Sequence, residues 1–282
     1  MSAPRGGTRD ALLGWAEATG GRMSGLLFSN RPSFAFMPRA VATVFVENLL
    51  FLLSVLELEG VRYVVHYGTL LGARRLAGVA PWDEDGDVYV LGSDLESVRA
   101  RVEPHLRGHG FDLWLGGADF FWVRQRRWPA AQGYNALHFL APVLASEGDR
   151  TPAHSDAVLS AEELGTPRRL PFYSSFVWAP CAPDRILDRI YGASGGDAVM
   201  SRFRPPPIGR EAEEFWRRAR PADGPLDWEA ISARFRSRSR WSHLTAMPWL
   251  WFNGAWNHHV LKGLIKAGTF LERRARTLRE SS

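Results

Sequence analysis

Three aspartates at alternate positions, Asp83, Asp85 and Asp87, stand within the run Pro81-Trp82-Asp83-Glu84-Asp85-Gly86-Asp87. In an extended strand, side chains two apart point to one face. Asp85 and Asp87 therefore share a face, and Asp83 joins them if the strand begins early enough. Carboxylates crowded at that spacing repel each other unless a cation lies between them. Hard oxygen ligands suit Mg²⁺ or Mn²⁺, which take one or two carboxylates and complete their shell with substrate phosphates. An isolated Asp-x-Asp is more often a solvated acidic loop. The upstream segment Tyr67-Gly68-Thr69-Leu70-Leu71-Gly72-Ala73 shifts the balance, because it places a glycine and a hydroxyl at a strand-to-helix turn. Helix N-termini offer N–H groups to anions. There Gly68 lets the backbone approach a phosphate, Thr69 can donate to a phosphoryl oxygen, and Arg74 or Arg75 brings positive charge to the same neighbourhood.

Elements able to hold these groups follow from hydrophobic periodicity. Ala40 to Leu56 is apolar enough to suggest a short membrane span, but Glu47 and Asn48 interrupt it. A charge at the bilayer centre costs on the order of 2.5 to 3.5 kcal/mol. The stretch reads instead as a buried helix with Val46, Leu49, Leu50, Leu53 and Leu56 on one face, Glu47, Ser54 and Glu57 away from its centre, and Gly60 as its cap. Arg62 to His66 reads as a strand, Tyr67 to Leu76 as a turn and helix, and Asp85 to Leu91 as a strand. A helix over Leu95 to Leu106 follows, capped by Ser93 with Asp94, and then strands over Phe111–Leu115, Phe120–Arg124 and Ala136–Leu140. Residues 141–171 read as a long surface excursion with one short helix near Ser160 to Leu164. Pro183 to Tyr191 reads as a helix ended by Gly192, and the triple proline in Arg202 to Pro207 as a boundary. The fold class is α/β (α+β), a small mixed sheet flanked by helices. The domains are an N-terminal extension 1–39, a core 40–207 and a basic, aromatic C-terminal region 208–282.

The chain has 282 residues, a formal charge of +5 and one cysteine, which rules out an internal disulfide framework and fits a reducing cytoplasm. The N-terminus lacks the pattern of a signal peptide. The positive charge favours anionic partners without choosing among them. Trp241, Trp249, Trp251 and Trp256 precede an amphipathic basic stretch. That stretch suits either a helix lying on an anionic membrane surface or a solvated tail behind core-packed aromatics. Zinc-protease, dinucleotide-binding, nucleophile-elbow and phosphate-loop motifs are absent from the sequence.

The segment His66 to Val88, with Gly-Thr-Leu-Leu-Gly, then arginine, then Pro-Trp-Asp-Glu-Asp-Gly-Asp, resembles the signature of the LicD/fukutin family. A weaker echo runs from Pro171 to the Tyr191-Gly192 pair, so the resemblance covers roughly Ala40 to Pro207. It implies a nucleotidyltransferase-like fold, to which the composition of this chain adds a helical, tryptophan-rich C-terminal extension. The implied reaction is transfer of phosphorylcholine, ribitol phosphate or a related alcohol phosphate from a CDP-linked donor to a glycan or lipid-linked glycan, dependent on Mg²⁺ or Mn²⁺. By position, Gly68, Thr69 and Arg75 would contact the donor, Asp85 and Asp87 would hold the metal, and Asp83 would be a ligand or orient the turn. Family members place a further aspartate on a later strand. The matching segment here, Ala136-Leu137-His138-Phe139-Leu140-Ala141-Pro142, offers His138 instead. Either His138 takes the role of general base, or Asp112 reaches the metal from another strand, or the chain binds a donor without turning it over as a membrane-associated assembly partner. Nucleotidyl transfer to a small molecule is the alternative reaction. The expected location is cytoplasmic, peripheral at the inner membrane face, with no nucleic-acid partner.

Overall fold

The computed structural model describes residues 39–80, 83, 85–91, 94–115, 120–125, 136–140, 143–144, 158–191 and 204–237. Helix α1 (Arg39–Leu58) carries much of the hydrophobic core, with Phe45, Leu49, Leu50, Phe51 and Leu53 buried. The sequence suggests one apolar face, yet Glu47 and Ser54 are buried as well. The reason lies in two later helices, α6 (Arg210–Ala219) and α7 (Trp228–Ser237), which cover the polar side. Arg234 of α7 donates to Glu47 at 2.8 Å, and Phe235 stacks on Phe51 with ring centroids 4.2 Å apart. The helix ends as expected at Gly60. Its φ of +64° allows Val61 N–H to reach Leu56 O at 2.8 Å and Gly60 N–H to reach Glu57 O at 3.1 Å, a Schellman cap.

Five strands then form one mixed sheet. They are β1 (Tyr63–Val65), β2 (Asp85–Val90), β3 (Phe111–Leu115), β4 (Phe120–Gln125) and β5 (Ala136–Leu140), in the order β1-β2-β5-β4-β3. Only the β2–β5 pair is parallel. Helix α2 (Tyr67–Leu76) links β1 to β2, and α3 (Leu95–Gly108) links β2 to β3. The N-cap of α3 is Asp94, whose carboxylate accepts from Ser97 N–H at 2.8 Å. Alternation sorts the two faces of the sheet. Val88, Phe111, Leu113, Phe121 and Val123 are buried in the core, whereas Asp85, Asp87, Trp114 and Trp122 are not.

The predicted excursion over 141–171 contains more structure than its composition suggests. β6 (Val143–Leu144) pairs in parallel with β7 (Val158–Leu159), and α4 (Ala161–Leu164) leads into β8 (Arg168–Phe172), which forms a hairpin with β9 (Ser175–Ala179). Pro171 and a turn of Tyr173 and Ser174 conceal that hairpin in sequence. Tyr173 takes the left-handed turn at φ +52°, where a glycine or asparagine would have signalled it. Helix α5 (Pro183–Tyr191) has its predicted bounds. Pro206 and Ile208 are buried, and residues from both sides of the triple proline share one hydrophobic cluster. The N-terminal extension up to residue 38, the region from 238 onward, and Pro81, Trp82 and Glu84 lie outside the described residues. Among the described residues no helix is long and apolar enough to cross a membrane.

Arg220, at the end of α6, is 1 % exposed and gathers four elements. Its guanidinium donates to Glu57 Oε2 of α1 at 3.2 Å, Tyr63 Oη of β1 at 2.8 Å and Ser175 Oγ of β9 at 3.1 Å, and it lies 4.1 Å from the centroid of the Phe176 ring. Removing one member of a buried pair leaves the other charge uncompensated. Arg220→Met should therefore lower the free energy of unfolding by about 3–5 kcal/mol. Urea unfolding checks this, and the double variant Glu57→Gln, Arg220→Met should recover part of the loss.

Candidate active site

Helix α2 starts one residue after β1 ends. His66 is its N-cap in extended conformation, and Tyr67 takes φ +42°, which swings the chain from strand to helix in a single step. Such a φ is strained for an aromatic residue and is tolerated where surrounding contacts enforce it. His66 N–H donates to Asp87 O at 2.9 Å, and Thr69 Oγ1 accepts from Asp87 N–H at 3.0 Å. Both backbone polar groups of Asp87 are thus bonded to the start of α2. Thr69 is buried, and the role visible for its oxygen is to fix the strand that carries the aspartates.

The two glycines of Gly68-Thr-Leu-Leu-Gly72 lie one helical turn apart on one face, and the chain returning toward β2 runs along that face. A Cβ on Gly72 would meet Gly78 O at 2.5 Å and Ala80 N at 2.6 Å. A Cβ on Gly68 would meet both Asp83 carboxylate oxygens at 2.6 Å. Ala77 in left-handed conformation ends α2 and donates its N–H to Gly72 O, and Asp83 N–H closes a turn onto Ala80 O at 2.9 Å. Asp83 thereby brings its carboxylate to the helix N-terminus, where the macrodipole favours a negative charge. It precedes β2 rather than belonging to it.

Asp85 and Asp87 sit half-exposed on β2, alternating with buried Gly86 and Val88. Tyr191, at the end of α5, faces the same cluster. Burial first, then the negative charges of Asp83 and Asp87, then Tyr67 and Asp85, push its phenol far above the ordinary range, so it stays protonated and able to donate. Tyr191 is a residue the spacing argument did not single out, although the Tyr-Gly echo ends on it. Tyr89 lies on the aspartate side of β2 against the rings of His66 and Tyr67, with centroids 4.3 and 6.4 Å away. His138 occupies the β5 position in register with Asp87. Asp112 is on β3, three strand spacings from β2, or about 14 Å. That is beyond ligand reach of an ion held by Asp87, which removes Asp112 as an alternative. Among the described residues no three His, Cys, Asp or Glu side chains converge tightly enough to hold an ion by themselves.

Arg74 and Arg75 lie in the last turn of α2, and both bind Asp184 of α5, Arg74 Nη2 at 3.0 Å and Arg75 Nη1 at 2.8 Å. Burial would raise the pKa of Asp184, but the hydrogen bonds and charges of Arg74 and Arg75 prevail and lower it. This clamp, unforeseen from sequence, ties α5 and hence Tyr191 to α2. Arg189 is held by Glu163 of α4 at 2.6 and 2.8 Å, and Glu163 also forms a capping box with Ser160.

A backbone atom cannot yield as a side-chain terminus can. Gly72→Ala should therefore destabilise the protein by about 1–3 kcal/mol, while Gly68→Ala should cost less stability and displace Asp83. Paired thermal melts read the difference. His66 is fully buried, and neither ring nitrogen has a hydrogen-bond partner. Burial first, then Arg189, lower its pKa to about 3, with Glu163 opposing. Between the unfolded value near 6.5 and that lower value, the unfolded chain binds a proton that the native state does not. Stability contributed by neutral His66 is thus present above the unfolded pKa and falls as pH drops, by roughly one kcal/mol per pH unit. Urea midpoints measured from pH 7 to 4 should fall less steeply in His66→Gln than in the wild type.

No curated protein matches the chain. Residues 60–182 match the family model described as LicD/FKTN/FKRP, nucleotidyltransferase domain. The matched stretch opens at the α1 cap, takes in the glycine face of α2, the aspartates and all five strands of the main sheet, and stops just before α5. Residues 60–182 are therefore similar to the nucleotidyltransferase domain of the LicD/FKTN/FKRP family, a likeness that points to a transferase of the phosphotransferase type.

Proposed function

We propose that the protein transfers an alcohol phosphate, such as phosphorylcholine or ribitol phosphate, from a CDP-linked donor to a hydroxyl of a glycan or lipid-linked glycan. The observation that carries this reading is the pairing of a carboxylate-bearing strand with a helix N-terminus, Asp87 being bonded through its backbone to Thr69 while Asp83 rests on Gly68. The carboxylate donor set is all oxygen, which fits Mg²⁺ or Mn²⁺ with substrate phosphates completing the shell. Asp85 and Asp87 would hold that ion. Its contribution is neutralisation of charge between the donor phosphates and the carboxylates.

The chain's own groups account for the remaining steps. N–H groups at the start of α2 receive the diphosphate of the donor. The acceptor oxygen attacks phosphorus in line, its proton passes to His138, which stands in register beside Asp87, and the bond to the leaving CMP oxygen breaks. Tyr191 keeps its proton and donates to a phosphoryl oxygen. The basic, tryptophan-rich segment 241–282 would hold the enzyme at the inner face of an anionic membrane, where a lipid-linked acceptor lies.

Calorimetric titration with CDP, CDP-choline, CDP-ribitol and CDP-glycerol, with and without Mg²⁺, tests the reading. The wild type should bind at least one of these only when Mg²⁺ is present, and the Asp85→Asn, Asp87→Asn variant should lose both binding and turnover. Absence of any nucleotide binding by the wild type refutes the proposal.

A further inference from the structure

The aspartate-bearing face of the sheet continues past the carboxylates. Register links Asp87 of β2 to position 138 of β5, that position to Trp122 of β4, and Trp122 to Trp114 of β3. Directly paired residues share a face, so this row runs laterally from Asp87 to the sheet edge. In the neighbouring row Val88 and Phe121 are buried in the core. Trp114 is 39 % and Trp122 43 % exposed, which makes them two of the three exposed large hydrophobic side chains among the described residues. Phe120 lies nearly parallel to Trp122, 6.1 Å away at 10°, and the Arg124 guanidinium covers Trp114 at 4.7 Å. Arg124 is in turn paired across the strands with Asp112.

Trp114 and Trp122 each keep a substantial part of the indole exposed, and contiguous exposed aromatics mark binding surfaces. In-line displacement decides what binds here. The attacking and leaving oxygens must stand on opposite sides of the phosphorus. On the proposed reaction the phosphate of the leaving CMP rests at the start of α2, whose first residues lie against β1 and β2. The attacking hydroxyl must therefore arrive from the opposite direction, over β5 and β4, along the tryptophan row.

We propose that Trp122 and Trp114, flanked by Arg124 and Asp112, form the acceptor subsite and stack the C–H face of a saccharide ring. The inference rests on the transferase reading above. Ring C–H groups are electropositive and pack on the negative π face of an indole, while Arg124 and Asp112 provide a donor and an acceptor for the hydroxyls. Trp122 is two strand spacings, about 10 Å, from Asp87. That distance leaves room for the hydroxyl-bearing end of the sugar to reach the phosphorus. β3 is the edge of the sheet, so a longer glycan can continue beyond Trp114.

The test uses full-length wild type, Trp122→Ala, Trp114→Ala and Trp122→Phe, with the thermal midpoint as a folding control, because a cross-strand tryptophan pair also supports the sheet. An array of immobilised oligosaccharides and calorimetry with CDP and Mg²⁺ are the two probes. The expected result is saccharide binding by the wild type that weakens about tenfold or more in either alanine variant. Trp122→Phe should retain most of it, and CDP affinity should stay unchanged throughout. Saccharide binding equal in Trp122→Ala and wild type, or none by the wild type, overturns the subsite. Loss of CDP affinity in Trp122→Ala also overturns it and assigns the rings to the nucleobase. Failure of the wild type to bind CDP strikes the transferase reading instead, and leaves the array to judge the platform alone.

Discussion

Between α2 and β2 the chain doubles back along the helix it has just left, and the missing side chains of Gly68 and Gly72 set how closely it can do so. Gly72 admits the backbone of residues 78 to 80, and Gly68 admits the Asp83 carboxylate. Asp83 then stands at the helix start, and β2 follows with Asp87 bonded through both its N–H and its C=O to residues 66 and 69. The placement of the aspartates depends on this approach. One glycine is met by backbone and the other by a flexible carboxylate, so the same residue type serves the fold at position 72 and the site at position 68.

Long-range charge pairs fix the helices around that turn. Glu47–Arg234 and Glu57–Arg220 dock α7 and α6 on α1, Asp184 clamps α5 to α2 through Arg74 and Arg75, and Glu163–Arg189 joins α4 to α5. Desolvation offsets much of the Coulomb gain in buried pairs of this kind. Their larger effect is directional, because a guanidinium with several fixed acceptors admits one docking geometry where an apolar contact would admit many. Glu57–Arg220 is the clearest case. Its guanidinium also engages Tyr63, Ser175 and the Phe176 carbonyl, so four elements meet at one cation.

Local signals carried well from sequence to structure. The bounds of α2, α5, β3 and β5, the Gly60 cap and the Asp94 cap all depend on residues within one turn or strand of each other. The family signature was legible for the same reason, being contiguous. Non-local partners were hidden: nothing adjacent to Glu47 announces Arg234, and nothing adjacent to Arg74 announces Asp184. The β8–β9 hairpin was missed because its turn is built on Tyr173 and its first strand contains Pro171, both of which argue against a strand locally. Tyr191 could be found only through the Tyr-Gly echo, since a tyrosine closing a helix is ordinarily core packing.

The charges around the site also bear on how an anionic donor could be accepted. Asp83, Asp85 and Asp87 all bear on the Tyr191 phenol and so lie close together. The arginines of the surrounding helices do not offset them simply, because Arg74 and Arg75 are bound to Asp184 and Arg189 to Glu163. A CDP-linked donor would add further negative charge to the same small volume. Helix-dipole attraction at α2 contributes only about 0.3–1 kcal/mol per anionic group and is already shared with Asp83. Coulomb repulsion between unit charges about 4 Å apart is several-fold larger at the effective dielectric near a protein surface. A divalent cation held by Asp85 and Asp87 would reverse the sign of that interaction, which is the physical reason the proposed transfer and a proposed metal stand or fall together.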